Sequence, residues 1–161
     1  EEAVERVLAL PEPMHLLVVC GKNEAMRERL AVATRREGDR VRLFGYVTNV
    51  HDLMEAADLV IGKAGGLTVS ECLARGVPMV ITTPIPGQEE ANARFLVRAG
   101  AGVRADGAGA VGGIVHRLLS DRAVLARMQE AARAHARPAA AGAVADLILE
   151  AIAGLALRRS A

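Results

Sequence analysis

The chain has 161 residues, a formal net charge of +1 and 52% hydrophobic residues, with one Tyr, two Phe and no Trp. This length suits one domain with a full core, and the near-neutral charge excludes the broad basic field that binding to nucleic acid requires. No apolar run reaches the length of a membrane span, and the N-terminus lacks the zones of a signal peptide.

Short apolar runs alternate with amphipathic stretches along most of the chain. The expected strands are 15–20, 41–47, 58–63, 78–83 and 101–105. The expected helices are 3–10, 23–38, 49–57, 66–75, 88–100, 109–119, 121–136 and 141–157, with a stiff loop at 84–87. Unbroken apolar strands that alternate with helices through short connections predict an α/β fold, in which a parallel sheet is covered by helices on both faces.

Residue types at the ends of these elements support the boundaries. Asn23 and Asn49 are expected N-caps, and Gly38 is expected to end the helix that Asn23 begins. Cys20 and Cys72 lie in apolar surroundings, so we expect buried free thiols in a reducing compartment rather than a disulfide.

The stretch GKAGGLTVSEC, residues 62–72, places three glycines between a strand and a helix. Open backbone N–H groups and the helix dipole favour an anion there, and Gly65 and Gly66 would let phosphate oxygens approach without a Cβ in the way. Thr68 would add a hydroxyl. The stretch is neither a P-loop nor a G-x-G-x-x-G fingerprint. An alternative stays open, because Thr68-Val69-Ser70-Glu71 also fits a capping box that merely closes a turn.

The stretch PIPGQEEANA, residues 84–93, combines a rigid loop with a polar helix start. Gln88 and Asn92 are four residues apart and share one helix face, with Glu89 beside them. Amide and carboxylate groups held by a rigid loop suit hydrogen bonds to several hydroxyls of a sugar. The alternative is an ordinary helix start, where acidic residues favour the dipole.

Two further loops, GYVTNVHDL (45–53) and CGKN (20–23), follow the first two expected strands. With so few aromatic rings, the polar edge of a bound base would have to be recognised by backbone groups in a loop such as 45–53. Lys22 would reach a phosphate or stay solvated. The four histidines show no metal-ligand spacing and no Ser/His/Asp arrangement is legible, so we assign no metal site and no catalytic base.

A family resemblance covers about residues 15–105. The segment ADLVIGKAGGLTVSECLARGVPMVITTPIPGQEEANARFLVRAGAGV (57–103) resembles the C-terminal half of lipid-glycosylating GT-B transferases, and VCGKN and VRLFGYVTNVHDLMEAAD extend the similarity upstream. These enzymes include diacylglycerol glucosyltransferases and monogalactosyldiacylglycerol synthases. The N-acetylglucosaminyl transferase of peptidoglycan lipid II synthesis is a relative. The PxPGQE stretch is more similar to the diacylglycerol branch.

The resemblance implies a Rossmann-like donor domain, one half of a GT-B fold, that binds a UDP-sugar. Each part of the donor has its own matching residues in this chain. They are Gly65, Gly66, Leu67 and Thr68 for the diphosphate, Glu71 for the ribose, the backbone at Tyr46 and Val47 for uracil, and Gln88, Glu89 and Asn92 for the sugar. Gly21 and Lys22 match a strand-end loop that faces the cleft.

The resemblance also implies an enzyme larger than this chain. The chain begins without Met, and its first residues already have apolar side chains at helical spacing. We therefore expect residues 1–161 to be a single donor domain that is inactive alone. The acceptor site and the catalytic base are expected in an N-terminal domain of the same polypeptide. The apolar tail 141–157 resembles terminal helices that pack across the domain junction. The full enzyme is expected to be an inverting hexosyltransferase without cofactor, cytoplasmic and peripheral on the inner face of the cell membrane, that glycosylates a lipid such as diacylglycerol.

Three other functions stay open from the sequence. The first is N-acetylglucosaminyl transfer to a peptidoglycan lipid intermediate. The second is a UDP-sugar epimerase of related architecture, which also places Gly-Gly and Glu at a helix start but needs acid/base residues near the sugar. The third is a non-catalytic nucleotide-binding module.

Overall fold

A computed structural model of the chain describes residues 1–82 and 87–159, with side chains through residue 153. Most of the expected stiff loop at 84–87 lies outside the described residues. The helices are α1 Glu2–Leu8, α2 Glu24–Ala33, α3 Val50–Glu55, α4 Gly66–Arg75, α5 Gln88–Arg98, α6 Ala108–Ser120, α7 Arg122–Ala134 and α8 Ala140–Arg159. The strands are β1 Leu16–Val19, β2 Val41–Phe44, β3 Val60–Gly62, β4 Met79–Ile81 and β5 Gly102–Arg104.

The second helix is shorter than the expected range 23–38. It ends at Ala33, and a separate 3-10 helix occupies Arg35–Arg40. Thr34, which follows α2, is buried, and its hydroxyl donates to the carbonyl of Leu30 at 2.8 Å. This local hydrogen bond favours the end of a regular helix. Gly38 has a φ of +54° inside the 3-10 segment and does not end α2.

The predicted N-caps differ in their outcome. The side chain of Asn23 accepts a hydrogen bond from the backbone N–H of Met26 at 3.0 Å, which confirms it as the cap of α2. Asn49 occupies the N-cap position of α3, but its amide donates to the carboxylate of Asp52 at 3.0 Å instead of capping the backbone.

Both thiols are buried and free, as expected. Burial, with a smaller effect of the neighbouring Glu71 charge, raises the pKa of Cys72 to about 12. Because the thiolate is the nucleophilic form, this thiol is chemically inert at neutral pH. Its role is packing in the core.

All observed strand pairs are parallel, as predicted, and the described strands form a two-stranded and a three-stranded sheet. The strand β1 pairs with β2, and β4 lies between β3 and β5. In register, Val18 lies opposite Leu43, and Val80 lies opposite Ile61 on one side and Val103 on the other. Within residues 1–82 and 87–159, β1 and β3 each keep one edge without a paired strand.

Two hydrophobic clusters lie on opposite faces of the three-stranded sheet. Met79 and Ile81 belong to a cluster with side chains of α4 and α5, whereas Val80 belongs to a cluster with side chains of α1, α6 and α7. Side chains alternate along a strand, so β4 is covered on both faces and its three residues are 0% exposed. Burial on both faces is therefore confirmed for this central strand, whereas Leu17 and Val19 of β1 are exposed.

The last helix, α8, contributes nothing to these clusters. All its side chains from 140 to 153 are exposed, including Leu147, Ile148 and Ile152. The expected packing of this apolar tail is therefore not found among the described residues. The helices in the described part of the chain are each too short or too polar to cross a membrane.

A carboxylate joins the loop before β1 to α6. The Oε1 atom of Glu12 lies 2.5 Å from Nδ1 of His116 and accepts a hydrogen bond from the Ser120 hydroxyl at 3.1 Å. Its side chain is only 16% exposed, and its Oε2 atom is buried without a hydrogen-bond partner among the described residues. Glu12 therefore holds two elements together through one oxygen.

We expect acid to weaken this link. Burial by itself raises the pKa of Glu12, but hydrogen bonds from its own backbone, Ser120 and His116, together with the His116 charge, outweigh it and lower the pKa from 4.5. A carboxyl group whose pKa is lowered by folding stabilises the folded state at pH values above its ordinary pKa. This stabilisation is lost as the pH falls through the folded-state pKa. Melting temperatures of the wild type and Glu12→Gln should therefore differ at neutral pH and converge below about pH 4. A constant difference at all pH values would contradict this role.

Candidate functional site

The start of α4 presents backbone donors without internal partners. Gly65 is the N-cap, and the first hydrogen bond of the helix runs from the N–H of Val69 to the carbonyl of Gly65 at 2.9 Å. The N–H groups of Gly66, Leu67 and Thr68 precede that bond, so they have no acceptor within the helix. None of the described side chains caps them. Leu67 is 82% exposed, so this end of the helix faces solvent.

The capping-box alternative is wrong, because α4 begins two residues before Thr68. A capping box would require Thr68 to be the N-cap, but Gly65 holds that position and Thr68 lies within the first turn. Both Thr68 and Glu71 are half-buried, and neither forms a hydrogen bond or ion pair with another described residue. Their hydroxyl and carboxylate are therefore available to a ligand.

The glycines at this turn are not required by its backbone conformation. Among the described residues, positive φ occurs at six glycines, and Gly65 and Gly66 are not among them. Gly65 has φ −64° and ψ 146°, which any residue adopts. Of the described residues, a Cβ built on Gly66 would meet only the amide nitrogens of Asn92 at 3.9 Å and Gln88 at 4.0 Å, which are ordinary contacts. The two glycines thus leave open space beside the N–H donors among the described residues. The conformation of the turn does not require glycine at either position.

The helix α5 brings two amide side chains to this open space. The Asn92 amide donates to the carbonyl of Ala64 at 2.9 Å, directly before the glycines. Gln88 is exposed one turn earlier, and Glu89 is half-buried in the same turn. The structure therefore places the expected sugar-binding amides beside the expected diphosphate-binding turn. The bond to Ala64 has no signal in the sequence, since it joins residues 28 positions apart.

We expect Asn92 and Gln88 to differ in their effect on stability. Asn92→Ala leaves the Ala64 carbonyl without its partner, so the free energy of unfolding should fall by about 1 kcal/mol. Gln88→Ala removes an exposed amide and should change it by less than about 0.5 kcal/mol. Urea denaturation of both variants measures the two values. Equal effects would contradict a structural role for the Asn92 amide.

The loops after β1 and β2 form a second group of predicted residues. Nζ of Lys22 lies 5.7 Å from the ring centroid of Tyr46, within range of a cation–π interaction. Gly21 has a φ of +58°, which favours glycine, and a Cβ built on Gly45 would lie 3.8 Å from its carbonyl oxygen. Tyr46 is 67% exposed and Val47 is half-buried. The two loops therefore touch.

The site thus consists of two groups of residues, each at the carboxyl ends of strands. Among the described residues, no hydrogen bond or ring contact joins the Lys22–Tyr46 group to the α4–α5 group. The α4–α5 group offers unpartnered N–H donors, a hydroxyl and amides, which is a combination that binds an anion next to hydroxyl groups. The Lys22–Tyr46 group offers a cation and exposed loop backbone.

Comparisons with known proteins identify related sequences and structures. The family described as "Glycosyltransferase family 28 C-terminal domain" matches residues 2–147. A "Processive diacylglycerol beta-glucosyltransferase" from Bacillus thuringiensis strain Al Hakam is 36% identical over 150 residues, which cover 93% of this chain and 38% of that protein. The homologous protein from Bacillus cereus strain B4264 is likewise 36% identical, and the aligned region covers 92% of this chain and 38% of that protein.

Among solved structures, MurG of Acinetobacter baumannii is similar with a TM-score of 0.67 and 25% sequence identity, covering 92% of this chain and 53% of MurG. The chain spans 38% of the length of the two curated relatives described above. These similarities confirm the expected α/β fold as that of one half of a GT-B glycosyltransferase. Because the family model covers most of its length, the chain belongs to the glycosyltransferase family 28 C-terminal domain family.

Proposed function

We propose that this chain is the UDP-sugar-binding domain of an inverting hexosyltransferase that glycosylates a lipid hydroxyl, such as that of diacylglycerol. The observation that carries the proposal is the start of α4, where open N–H groups and glycines that the turn does not require face two amides of α5. The names of the curated relatives, diacylglycerol glucosyltransferases, support this acceptor over a peptidoglycan intermediate.

The chemical role of the site is to stabilise the leaving group. When the bond between sugar and UDP breaks, negative charge grows on the diphosphate. The N–H groups of Gly66, Leu67 and Thr68 are already aimed outward, and the helix dipole adds roughly half a positive charge at the same place. Because these donors need no rearrangement, they stabilise the charge that develops in the transition state. The Thr68 hydroxyl would add one more donor.

The remaining predicted residues would hold the other parts of the donor. Gln88, Glu89 and Asn92 would bind sugar hydroxyls, and the bond from Asn92 to Ala64 would keep one of the amides in place. Glu71 would accept hydrogen bonds from the ribose hydroxyls. The backbone near Tyr46 would bind uracil.

The domain organisation is part of the proposal. Residues 1–161 would form a single donor domain of a longer protein, with the acceptor site and the catalytic base in another domain and the enzyme peripheral on the cytoplasmic face of the membrane. In the described part of the chain, β1 and β3 each have an edge without a paired strand, and this supports a longer chain, because one parallel strand between them would complete the six-stranded order of a doubly wound sheet. An N-terminally extended version should therefore melt at a higher temperature, and an unchanged melting temperature would count against it.

Calorimetry of this chain with UDP, UDP-hexoses and ADP tests donor binding. We expect binding of UDP and UDP-hexoses and much weaker binding of ADP. Lack of UDP binding by the folded chain would contradict the proposal. A separate assay with diacylglycerol should show no transfer by residues 1–161 alone, and turnover would refute the assignment of the base to another domain.

Glu71→Ala separates a ribose contact from a structural role. Because Glu71 neither caps α4 nor forms an ion pair with a described residue, the melting temperature should change little. The loss of hydrogen bonds to a charged group, about 1.5–3 kcal/mol, should weaken UDP binding by at least about tenfold. Glu130→Ala, an exposed glutamate of α7, is the matched control and should retain full affinity. A large loss of stability with unchanged affinity would exclude the ribose role.

A further inference from the structure

A groove of about 250 Å³ lies between α5 and the edge strand β5, away from the amides that face α4. Its lining combines two apolar residues with three arginines, namely Ala93, Val97, Arg94, Arg98 and Arg104. Ala93 is buried at the base of the groove, whereas Val97 is 46% exposed. The groove thus offers apolar and cationic surface together.

The arginines of this groove outnumber their acidic partners. Arg104 forms an ion pair with Glu90 at 2.7 Å, and Arg94 lies 3.9 Å from the same carboxylate. Arg98 has no ion pair with any residue in the described ranges. One carboxylate therefore pairs with two guanidinium groups and the third has no partner among the described residues, which leaves a local excess of positive charge on a chain whose total charge is only +1.

We propose that this groove binds the phosphate of an anionic phospholipid at a membrane surface. Guanidinium groups bind phosphate oxygens in a bidentate manner, and the exposed Val97 would contact the acyl region next to the head group. A nucleic acid would instead need a positive stripe along several elements, and the arginines here are confined to one groove.

The proposal deepens the proposed function and rests on it for the choice of a lipid surface. Arg104 is the last residue of β5, and the carboxyl ends of parallel strands share one edge of a sheet. Arg104, at one end of the groove, therefore lies at the same edge of this sheet as the start of α4. A membrane bound there would hold the donor site close to lipid acceptors.

Co-sedimentation with vesicles tests the proposal. The chain should bind vesicles of phosphatidylcholine mixed with phosphatidylglycerol more strongly than vesicles of phosphatidylcholine alone. The exposed apolar side chains of α8 would contribute equally to binding of both kinds of vesicle, so the difference in binding between the two isolates the charge-dependent part. The double variant Arg94→Gln/Arg98→Gln should weaken the charge-dependent part of vesicle binding by about fivefold per arginine. Arg127→Gln, an exposed arginine of α7, is the matched control and should have less effect.

A gain-of-binding variant excludes misfolding as the explanation. Glu90→Gln removes the carboxylate that pairs with Arg104, so binding to the anionic vesicles should increase. Equal binding to both kinds of vesicle, an effect of Arg127→Gln as large as that of the double variant, or preferential binding of duplex RNA would each overturn the proposal. The double variant should retain UDP affinity in calorimetry, so a failure of this proposal is distinguishable from failure of the donor site.

Discussion

Replacing Gly66 with valine should abolish UDP binding without unfolding the protein. The side chain would extend from the start of α4 towards the amides of Gln88 and Asn92, into the space where we place the donor. Gly66→Ala should weaken binding by at least about tenfold, or about 1.4 kcal/mol, and Gly66→Val by more. Calorimetry with UDP measures both values.

The same substitutions should leave stability intact. Gly66 lies in the helix without positive φ, and a Cβ there meets no atom of residues 1–82 or 87–153 closer than 3.9 Å. Gly66→Ala should therefore keep or raise the free energy of unfolding, by up to about 1 kcal/mol. Gly113→Ala is the control, because its Cβ meets nothing within 4 Å and it lies in α6. Full UDP affinity in Gly66→Val would refute the phosphate-binding role of this turn.

Gly112→Leu should destabilise the domain, and Gly113→Leu should not. Gly112 is buried in α6 where α1 crosses it, and a Cβ there would lie 3.1 Å from the carbonyl oxygen of Arg6 and 3.2 Å from its Cβ. A leucine would push α1 away from the cluster that contains Val7, at a cost of about 1–3 kcal/mol.

Gly113 is adjacent, exposed and in the same helix, so Gly113→Leu gains helix propensity without a steric conflict. Its unfolding free energy should be unchanged or higher by up to about 1 kcal/mol. Thermal melts of both variants give the comparison. Equal melting temperatures would show that α1 moves without loss of packing.

The order and type of the elements could be predicted because their signals are local. The apolar run that contains β4 and the amphipathic repeat of α5 depend on neighbours in the chain, and both were confirmed. The predicted end of α2 was wrong because the Thr34 hydroxyl forms a local hydrogen bond that competes with the helix. The capping box at Thr68 was wrong because the pattern alone does not say which residue begins the helix.

The candidate site shows the same division. The α/β class, the family and the residue types at the strand ends could be predicted from the sequence, since they depend on local patterns and on glycines and amides at particular positions. The three-dimensional structure was needed to show that Gly65 and Gly66 are not required by the turn, that Asn92 contacts Ala64, and that β1 and β3 each have an unpaired edge within the described residues. These facts depend on backbone angles and on contacts between distant segments, which the packing of the whole chain sets.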